Sequence, residues 1–256
     1  MKGALILTEG RSGSNWLGTS AASTGLLGVS KEWVDPSILG VKPKRLSADQ
    51  YINKIVESAA TDNGFFTIKL FPRHLHWFHM QYGVDIIKQL RERHDLVVIL
   101  LTREDTIRQA ISFSKGIQTG QWTSRKQGNA TPKYDFEQIC RAYFTIRRSY
   151  DFWKSYVDIQ SIDHLSFTYE QLLPDGKQFM EAMARHASVE DLPDYITDLK
   201  IQRNSKTEEW YEKFLCDIAE KDFVDCTTPS RPHPTSFSNF IKFLRSRQMK
   251  PVPYSY

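Results

Sequence analysis

The sequence predicts an α/β fold of three layers, in which a central, mainly parallel sheet lies between two layers of helices. Short apolar stretches alternate with amphipathic ones, a pattern typical of parallel sheets because each crossover between parallel strands needs a helix. The 256 residues are 40% hydrophobic and 25% charged, which is enough for one large domain with a full core. We predict a single domain over residues 1–226, followed by a proline-containing tail over residues 227–256.

The first half of the chain begins with a buried strand over residues 4–8, which is short, apolar and bounded by Gly3 and Gly10. Ser14 or Asn15 is a suitable N-cap for the helix that follows. The elements predicted after this pair are a loop over 30–46, a helix over 48–60, a strand over 65–70, a helix starting after Pro72, a helix over 84–93 and a strand over 96–101.

The second half continues the alternation. Apolar and aromatic residues recur at helical spacing from Phe136 to Val157, which is typical of a helix packed on a core. The other predicted elements are a helix over 104–115, a loop over 117–134, a strand over 162–167, a helix starting at Tyr169 and a helix over 207–226.

Composition limits the kinds of partner. Lys and Arg number 34 against 30 for Asp and Glu, so the net charge of +4 suits a small anionic ligand and gives no argument for nucleic acid. Cys140, Cys216 and Cys226 are widely spaced and odd in number, so we expect free thiols in a reducing compartment. Met1 leads directly into the first strand and no apolar run approaches the ~20 residues of a membrane span, so we expect a cytoplasmic protein without a signal peptide.

The loop after the first strand is the main candidate for a binding site. It contains Arg11, Ser12, Gly13, Ser14 and Asn15 between a strand and a helix N-terminus. Backbone amides and the helix dipole favour an anion there, glycine permits close approach, and the arginine adds a fork of donors for phosphate or sulfate oxygens. An ordinary strand–turn–helix, in which the glycines serve only the turn, remains the simpler alternative.

Three known loop types do not fit this spacing. Gly10 and Gly13 are separated by two residues and no lysine follows, whereas a nucleotide-triphosphate loop needs four residues and then Lys-Ser/Thr. A dinucleotide fingerprint needs a third glycine. A serine-hydrolase elbow needs glycine two residues after Ser12, where Ser14 stands. An anion loop with an arginine remains.

The run Arg11-Ser12-Gly13-Ser14 after a first strand resembles the phosphosulfate loop of sulfotransferases, most closely that of the bacterial trehalose 2-sulfotransferase family. That family carries Gln-Arg-Ser-Gly-Ser-Thr, so Gly10 and Asn15 replace the Gln and the Thr. The resemblance implies a P-loop-like sulfotransferase fold and 3′-phosphoadenosine 5′-phosphosulfate (PAPS) as sulfuryl donor. It also implies a carbohydrate-like acceptor, such as a sugar or glycolipid, and a homodimer.

A second candidate anion site follows the strand over 96–101. Arg103 stands at its carboxyl end, and the next helix brings Ser112 round on a later turn, so the two can clamp a second phosphate. An arginine paired only with Glu104 or Asp105 is the alternative. The resembling family shows Arg-Pro-Asp followed by Gln-Ala-Val-Ser at this separation, where it holds the 3′-phosphate of the donor.

Lys69 and Glu32 are the candidate catalytic residues, together with Arg11. A lysine at the end of a buried strand is costly unless it faces a site or a carboxylate, so Lys69 is expected at the sulfuryl or leaving phosphate oxygens, with a structural salt bridge as the alternative. Glu32 by itself is an unremarkable loop residue. The resemblance makes it the catalytic base, although Gly28-Val29-Ser30 stands where the family has Gly-Glu-Pro.

Three histidines, His74, His76 and His79, follow Lys69 at a spacing that fits a metal site poorly, and we predict no metal. His74 is a backup candidate for the base. Near the C-terminus, Lys206 and Thr207 fall where the family has Arg and Ser, and they are candidates for closing over the nucleotide. The start of an ordinary helix is the alternative there.

The expected activity is therefore sulfuryl transfer from PAPS to a hydroxyl of a small molecule, without a membrane span or a nucleic-acid partner. Two other classes stay open. A small-molecule kinase on a degenerate nucleotide loop needs a Mg²⁺-binding carboxylate and a loop lysine. A non-catalytic binder of a phosphorylated or sulfated ligand needs the arginines and has no use for Glu32.

Overall fold

The computed structural model describes residues 1–125, 128–198, 205–221 and 224. Within these ranges, four strands form one parallel sheet in the order β2-β1-β3-β4. The strands are β1 (Lys2–Leu7), β2 (Phe66–Leu70), β3 (Asp95–Thr102) and β4 (Leu165–Thr168). The predicted α/β class with a parallel central sheet is confirmed.

Helices connect the strands and cover the sheet. None of the helices in the described ranges is long and apolar enough to cross a lipid bilayer. The helices are α1 (Ser14–Ser23), α2 (Pro36–Leu39), α3 (Ala48–Ala59), α4 (Pro72–Tyr82), α5 (Ile86–Arg93), α6 (Thr106–Thr119), α7 (Phe136–Ile159), α8 (Lys177–Ala187) and α9 (Ser205–Glu220), with a short 3₁₀ turn at Pro43–Arg45.

Strand β1 shows why the fold has three layers. Leu5 and Leu7 pack into a core that also contains residues of α3, α5 and α7, whereas Ala4 and Ile6 point into a second core with residues of α1 and α8. Because alternate side chains of a strand face opposite sides of the sheet, a strand that is apolar throughout must be covered on both faces.

A third core joins α6, α7 and α9 beside the sheet. Ile139 and Ile146 of α7 are buried in it, and Trp153 of the same helix is buried under the sheet. The predicted aromatic and apolar stripe of this helix therefore belongs to the core. Trp210 brings α9 into this core, which places the last described helix against α6.

Two local predictions were wrong. Neither Ser14 nor Asn15 caps α1; the N-cap is Gly13, whose φ of 86° is left-handed, and no side chain caps the helix. Tyr169 does not start a helix, because the chain after β4 makes a series of turns until Gly176 and α8 begins at Lys177.

Other boundaries differ by a few residues. The predicted loop over 30–46 contains α2 and the 3₁₀ turn, and β4 starts at Leu165 because the amide of Ile162 donates to the Val157 carbonyl and closes the end of α7. The predicted tail over 227–256 lies outside the described residues, as does Cys226.

The strand order places a ligand site. From β1 the chain crosses to β2 on one side, and it then crosses back to β3 on the other side. Crossovers that leave in opposite directions open a crevice at the carboxyl ends of the strands, which is where open α/β sheets bind ligands. The residues that follow β1, β2 and β3 therefore meet at this edge.

Candidate active site

The loop between β1 and α1 turns sharply towards the helix N-terminus. Arg11 and Gly13 both have left-handed φ values, 67° and 86°. A Cβ atom on Gly13 would overlap Cδ2 of Tyr169, so glycine is needed both for the conformation and for the contact with this ring. Because α1 has no side-chain cap, the backbone N–H groups of its first turn are available to an anion.

The floor of this loop is built from buried polar groups. The Thr8 hydroxyl donates to the Leu101 carbonyl at 2.6 Å and lies 2.8 Å from Oγ of Ser12. The Ser12 side chain is fully buried, and Ser14 is also buried at the first position of α1. The hydroxyl of Ser12 therefore supports the loop from below, and its backbone is the part that can meet a ligand.

Glu9 is a residue of this loop that sequence reasoning missed. Its carboxylate is buried and accepts hydrogen bonds from the Gly10 amide at 2.8 Å, the Ser149 hydroxyl at 2.7 Å and the Arg73 guanidinium at 3.1 Å. Gln109 donates to the carbonyl of Gly10 at 2.8 Å. Gly10 is thus fixed at both its amide and its carbonyl. The signal that could have identified Glu9 is its position, since it is a charged residue directly after a buried strand. Lys69 was selected by the same kind of reasoning.

Arg11, Arg103 and Ser112 form what we call the arginine cluster. Nε of Arg11 donates to Oγ of Ser112 at 2.8 Å, and Nη1 of Arg103 lies 3.4 Å from the Arg11 carbonyl oxygen. Arg11 also donates to the carbonyl of Trp122. Burial, together with the charge of Arg103, lowers the pKa of Arg11 to about 10. Two like charges are therefore held close together in a poorly solvated place.

Arg103 has an unmet hydrogen-bonding need. Its Nε is buried and has no hydrogen-bond partner among the described residues; Oε1 of Glu170 lies 3.6 Å away. The guanidinium also lies over the ring of Tyr169, 5.0 Å from its centre. Buried donors are normally satisfied, so the arginine cluster has the properties of an anion site.

Helix α9 brings Lys206 and Thr207 against α6, the helix that carries Ser112. Nζ of Lys115 on α6 donates to Oγ1 of Thr207 at 2.9 Å. Lys115 and Lys206 both lie over the ring of Trp210, at 4.8 and 5.9 Å. Burial and the nearby Lys206 lower the pKa of Lys115 to about 8. Lys115 is a second residue that sequence reasoning missed. Arg203 and Asn204, the other residues quoted from this motif, lie outside the described residues.

Asn15, Lys69 and Glu32 form the ion-pair cluster on the other side of the loop. Nζ of Lys69 lies 2.9 Å from Oε1 of Glu32 and also donates to Oδ1 of Asn15. The Lys69 side chain is 1% exposed and the Glu32 side chain is 24% exposed. The structure thus brings together two residues predicted as catalytic and joins them to the first turn of α1.

The opposite charges of Glu32 and Lys69 counteract the effect of burial on the pKa of each group. Burial by itself raises the pKa of Glu32, but the ammonium of Lys69 and its hydrogen bond more than offset this, so the pKa lies below its ordinary value. Burial lowers the pKa of Lys69, and Glu32 works against that shift. Glu32 is consequently ionised at neutral pH, as a general base must be before it accepts a proton.

His74 lies next to the ion-pair cluster. The backbone amide of Phe71, the N-cap residue of α4, donates to Nδ1 of His74 at 3.2 Å. Burial, followed by the charge of Arg73, lowers the pKa of His74 to about 4. The ring is therefore neutral near pH 7, with its proton on Nε2. Since the lone pair of Nδ1 is already used, this geometry argues against His74 as the base.

The three histidines of α4 do not converge. His74 is buried, whereas His76 and His79 are exposed. Within the described ranges, no group of three or more His, Cys, Asp or Glu side chains is arranged to hold a metal ion.

Comparisons with known proteins agree on one family. The sequence model of the Stf0 sulphotransferases matches residues 3–217 of the chain. The chain is also similar to the trehalose 2-sulfotransferase of Mycolicibacterium smegmatis, with 23% identity over 266 aligned residues that cover 85% of this chain and 96% of the relative.

Proposed function

The chain belongs to the Stf0 sulphotransferase family, and on that premise we propose that it transfers a sulfuryl group from PAPS to a hydroxyl of a carbohydrate-like small molecule. The observation that carries this proposal is the connection of the ion pair between Glu32 and the buried Lys69 to an anion loop through Asn15. A base, a cation and an anion cradle then act on one reacting centre. The name of the trehalose 2-sulfotransferase relative supports a sugar as acceptor.

The described residues fit PAPS. The bare N-terminus of α1 and the amides of residues 11–14 suit the 5′-phosphosulfate, because an anion there meets N–H groups and the positive end of the helix dipole. The buried Nε of Arg103 and the adjacent Ser112 suit the 3′-phosphate. PAPS would supply the activated sulfuryl group.

Arg11 supports both halves of this assignment. Its backbone belongs to the anion loop, while its side chain contacts Ser112. We therefore assign the guanidinium of Arg11 to the side of the 3′-phosphate and the loop amides to the phosphosulfate. Lys115 on α6 and Lys206 on α9 add positive charge at that end, and the Thr207 hydroxyl accepts a hydrogen bond from Lys115.

Glu32 acts on the acceptor hydroxyl. Its carboxylate accepts the hydroxyl proton as the oxygen forms a bond to sulfur, and the bond between sulfur and the bridging phosphate oxygen breaks. Negative charge then accumulates on the departing phosphate. Lys69 and the N-terminus of α1 lie where they stabilise it, and such preorganised charge is usually the largest catalytic contribution.

The direct test is to incubate the protein with ³⁵S-labelled PAPS and either trehalose or glucose. We expect a labelled sulfated sugar and adenosine 3′,5′-bisphosphate in equal amounts. Phosphorylated sugar formed from ATP and Mg²⁺ in place of PAPS would favour the kinase. Tight binding of the bisphosphate without turnover of any acceptor would favour the non-catalytic binder.

We also propose that the chain acts as a homodimer in the cytoplasm, because the family resemblance implies a dimer. Cys140 and Cys216 are free thiols, which is compatible with a reducing compartment. Sedimentation equilibrium at micromolar concentration tests the dimer, and a purely monomeric protein would contradict it.

A further inference from the structure

A cleft of about 380 Å³ opens next to the segment that follows Glu32 in the chain. It is lined by Val34, Asp35, Pro36, Arg73, His74 and Trp77. The combination of an indole face with a carboxylate and a guanidinium is suited to a polyhydroxylated molecule, since its C–H faces pack on the ring and its hydroxyls need polar partners.

His74 is rigidly oriented in the wall of this cleft. Its ring stacks on Phe71 with a centroid distance of 5.0 Å, and Arg73 packs against the same phenyl ring at 4.2 Å. The hydrogen bond from the Phe71 amide occupies Nδ1. Because an N–H group donates that bond, Nδ1 carries no proton, and Nε2–H is the group that the ring can offer to a ligand.

We propose that His74 is an acceptor-binding residue, which donates a hydrogen bond from Nε2 to an oxygen of the sulfated molecule and holds its hydroxyl beside Glu32. This inference rests on the proposed function. The neutral donor suits its surroundings, because a charged imidazolium would add a third cation to Lys69 and Arg73 in a buried place.

Two substitutions separate three possible roles for His74. Gln and Glu at this position of α4 can both accept the Phe71 amide, because the side-chain oxygen of either residue at the third helical position reaches back to the N-cap amide. Only Gln also presents an N–H donor, and only Glu can act as a base. A purely structural role requires the cap alone, so both variants would then resemble the wild type.

The experiment measures kcat and KM for trehalose, or for the best acceptor of a sugar panel, with PAPS as donor. We expect His74→Gln to stay within a few-fold of wild type and His74→Glu to raise the acceptor KM roughly 10-fold or more. The affinity for adenosine 3′,5′-bisphosphate should be the same in both. His76→Gln and His76→Glu on the exposed face of the same helix control for the added charge.

The opposite result would overturn the proposal. If His74→Glu is active while His74→Gln loses kcat, His74 is a base; if both variants behave like wild type, it is only a cap. These outcomes require an active wild-type enzyme. A wild-type protein that sulfates no acceptor contradicts the proposed function itself, so the two failures are distinguishable.

Discussion

The arginine cluster and the ion-pair cluster flank the same loop, but they satisfy their charges in opposite ways. In the arginine cluster, two guanidinium groups repel each other and Nε of Arg103 has no hydrogen-bond partner among the described residues. In the ion-pair cluster, the buried ammonium of Lys69 is matched by a carboxylate at 2.9 Å and by an amide oxygen.

The difference separates binding from chemistry. In the arginine cluster, two like charges lie close together and one buried donor is unmet, so an anion that binds there satisfies both, and removing one of the charges should mainly weaken ligand binding. The ion-pair cluster is complete without a ligand, so removing one of its charges should affect turnover and leave donor binding intact. Four experiments test this contrast.

The largest expected effect is on turnover by Glu32→Gln. A sugar hydroxyl is a poor nucleophile, so loss of the base should reduce kcat by about 10²–10⁴-fold. The defect should shrink with a nitrophenol acceptor, whose proton leaves more easily, whereas a defect from Lys69→Ala should not depend on acceptor acidity. The measurement is initial rates with both acceptors.

Glu57→Gln, an exposed change on α3, serves as the matched control. The affinity of Glu32→Gln for adenosine 3′,5′-bisphosphate should remain close to that of the wild type. If Glu32→Gln turns over its natural acceptor as fast as the wild type does, the base is another residue.

The next largest effect concerns Arg103→Ala. Thermal unfolding with adenosine 3′,5′-bisphosphate should show most of the ligand-induced stabilisation lost, since a charge-assisted hydrogen bond is worth about 1.5–3 kcal/mol. Without ligand, the change in melting temperature should be smaller than the lost ligand-induced shift, because relief of the repulsion with Arg11 opposes the loss of the contacts with Glu170 and Tyr169.

Arg148→Ala, an exposed change on α7, should show the full ligand-induced shift. ATP with Mg²⁺ should stabilise the wild type far less than the bisphosphate does. If ATP with Mg²⁺ raises the melting temperature as much as the bisphosphate does, or more, the assignment of the two phosphate sites to PAPS is wrong.

A smaller effect is the pH dependence of stability caused by His74. Its pKa is about 4 in the folded chain and about 6.5 when unfolded, so the unfolded state binds the proton first as the pH falls. The contribution of His74 to the free energy of unfolding should therefore be fully present above pH 6.5 and should be lost as the pH falls from 6.5 to 4. Between pH 7 and pH 5, the free energy of unfolding should decrease by about 2 kcal/mol. Urea unfolding at both pH values measures it.

His74→Gln should lack this part of the pH dependence, whereas the exposed His76→Gln should keep it. An identical slope in all three proteins would show that His74 takes up its proton equally in the folded and unfolded states.

The smallest expected effect is that of a chelator. Because Lys69 and the N-terminus of α1 supply fixed positive charge at the departing phosphate, turnover should persist in excess EDTA. Initial rates with and without EDTA measure this. Loss of activity that Mg²⁺ or Zn²⁺ restores would contradict it and would direct attention to the histidines of α4.

The sequence allowed the fold to be predicted where apolar patterns were continuous. β1 and β3 are buried on both faces, so their hydrophobic runs are unambiguous, while the start of the partly exposed edge strand β4 is predicted three residues too early. The family resemblance pointed to Glu32 and Lys69, and the structure joins them.

Some features of the site could not be predicted, because they depend on contacts between distant parts of the chain. Glu9 is satisfied by Ser149, and Lys115 meets Thr207 across two helices. The direction of the Arg11 side chain, towards Ser112, likewise depends on how α6 packs. Local patterns describe which residues are buried, but they do not specify partners that are 92 to 140 residues away.

The contact between Gly13 and the ring of Tyr169 has a consequence for biosynthesis. The ribosome makes the anion loop near the start of the chain, but it makes Tyr169 only after more than half of the chain. The ring can therefore cover the loop between β1 and α1 only after the turns that follow β4 have been synthesised. Since domains fold as units as they emerge, we expect ribosome-bound chains that end before β4 to lack nucleotide binding, even though every residue of the loop has already been made.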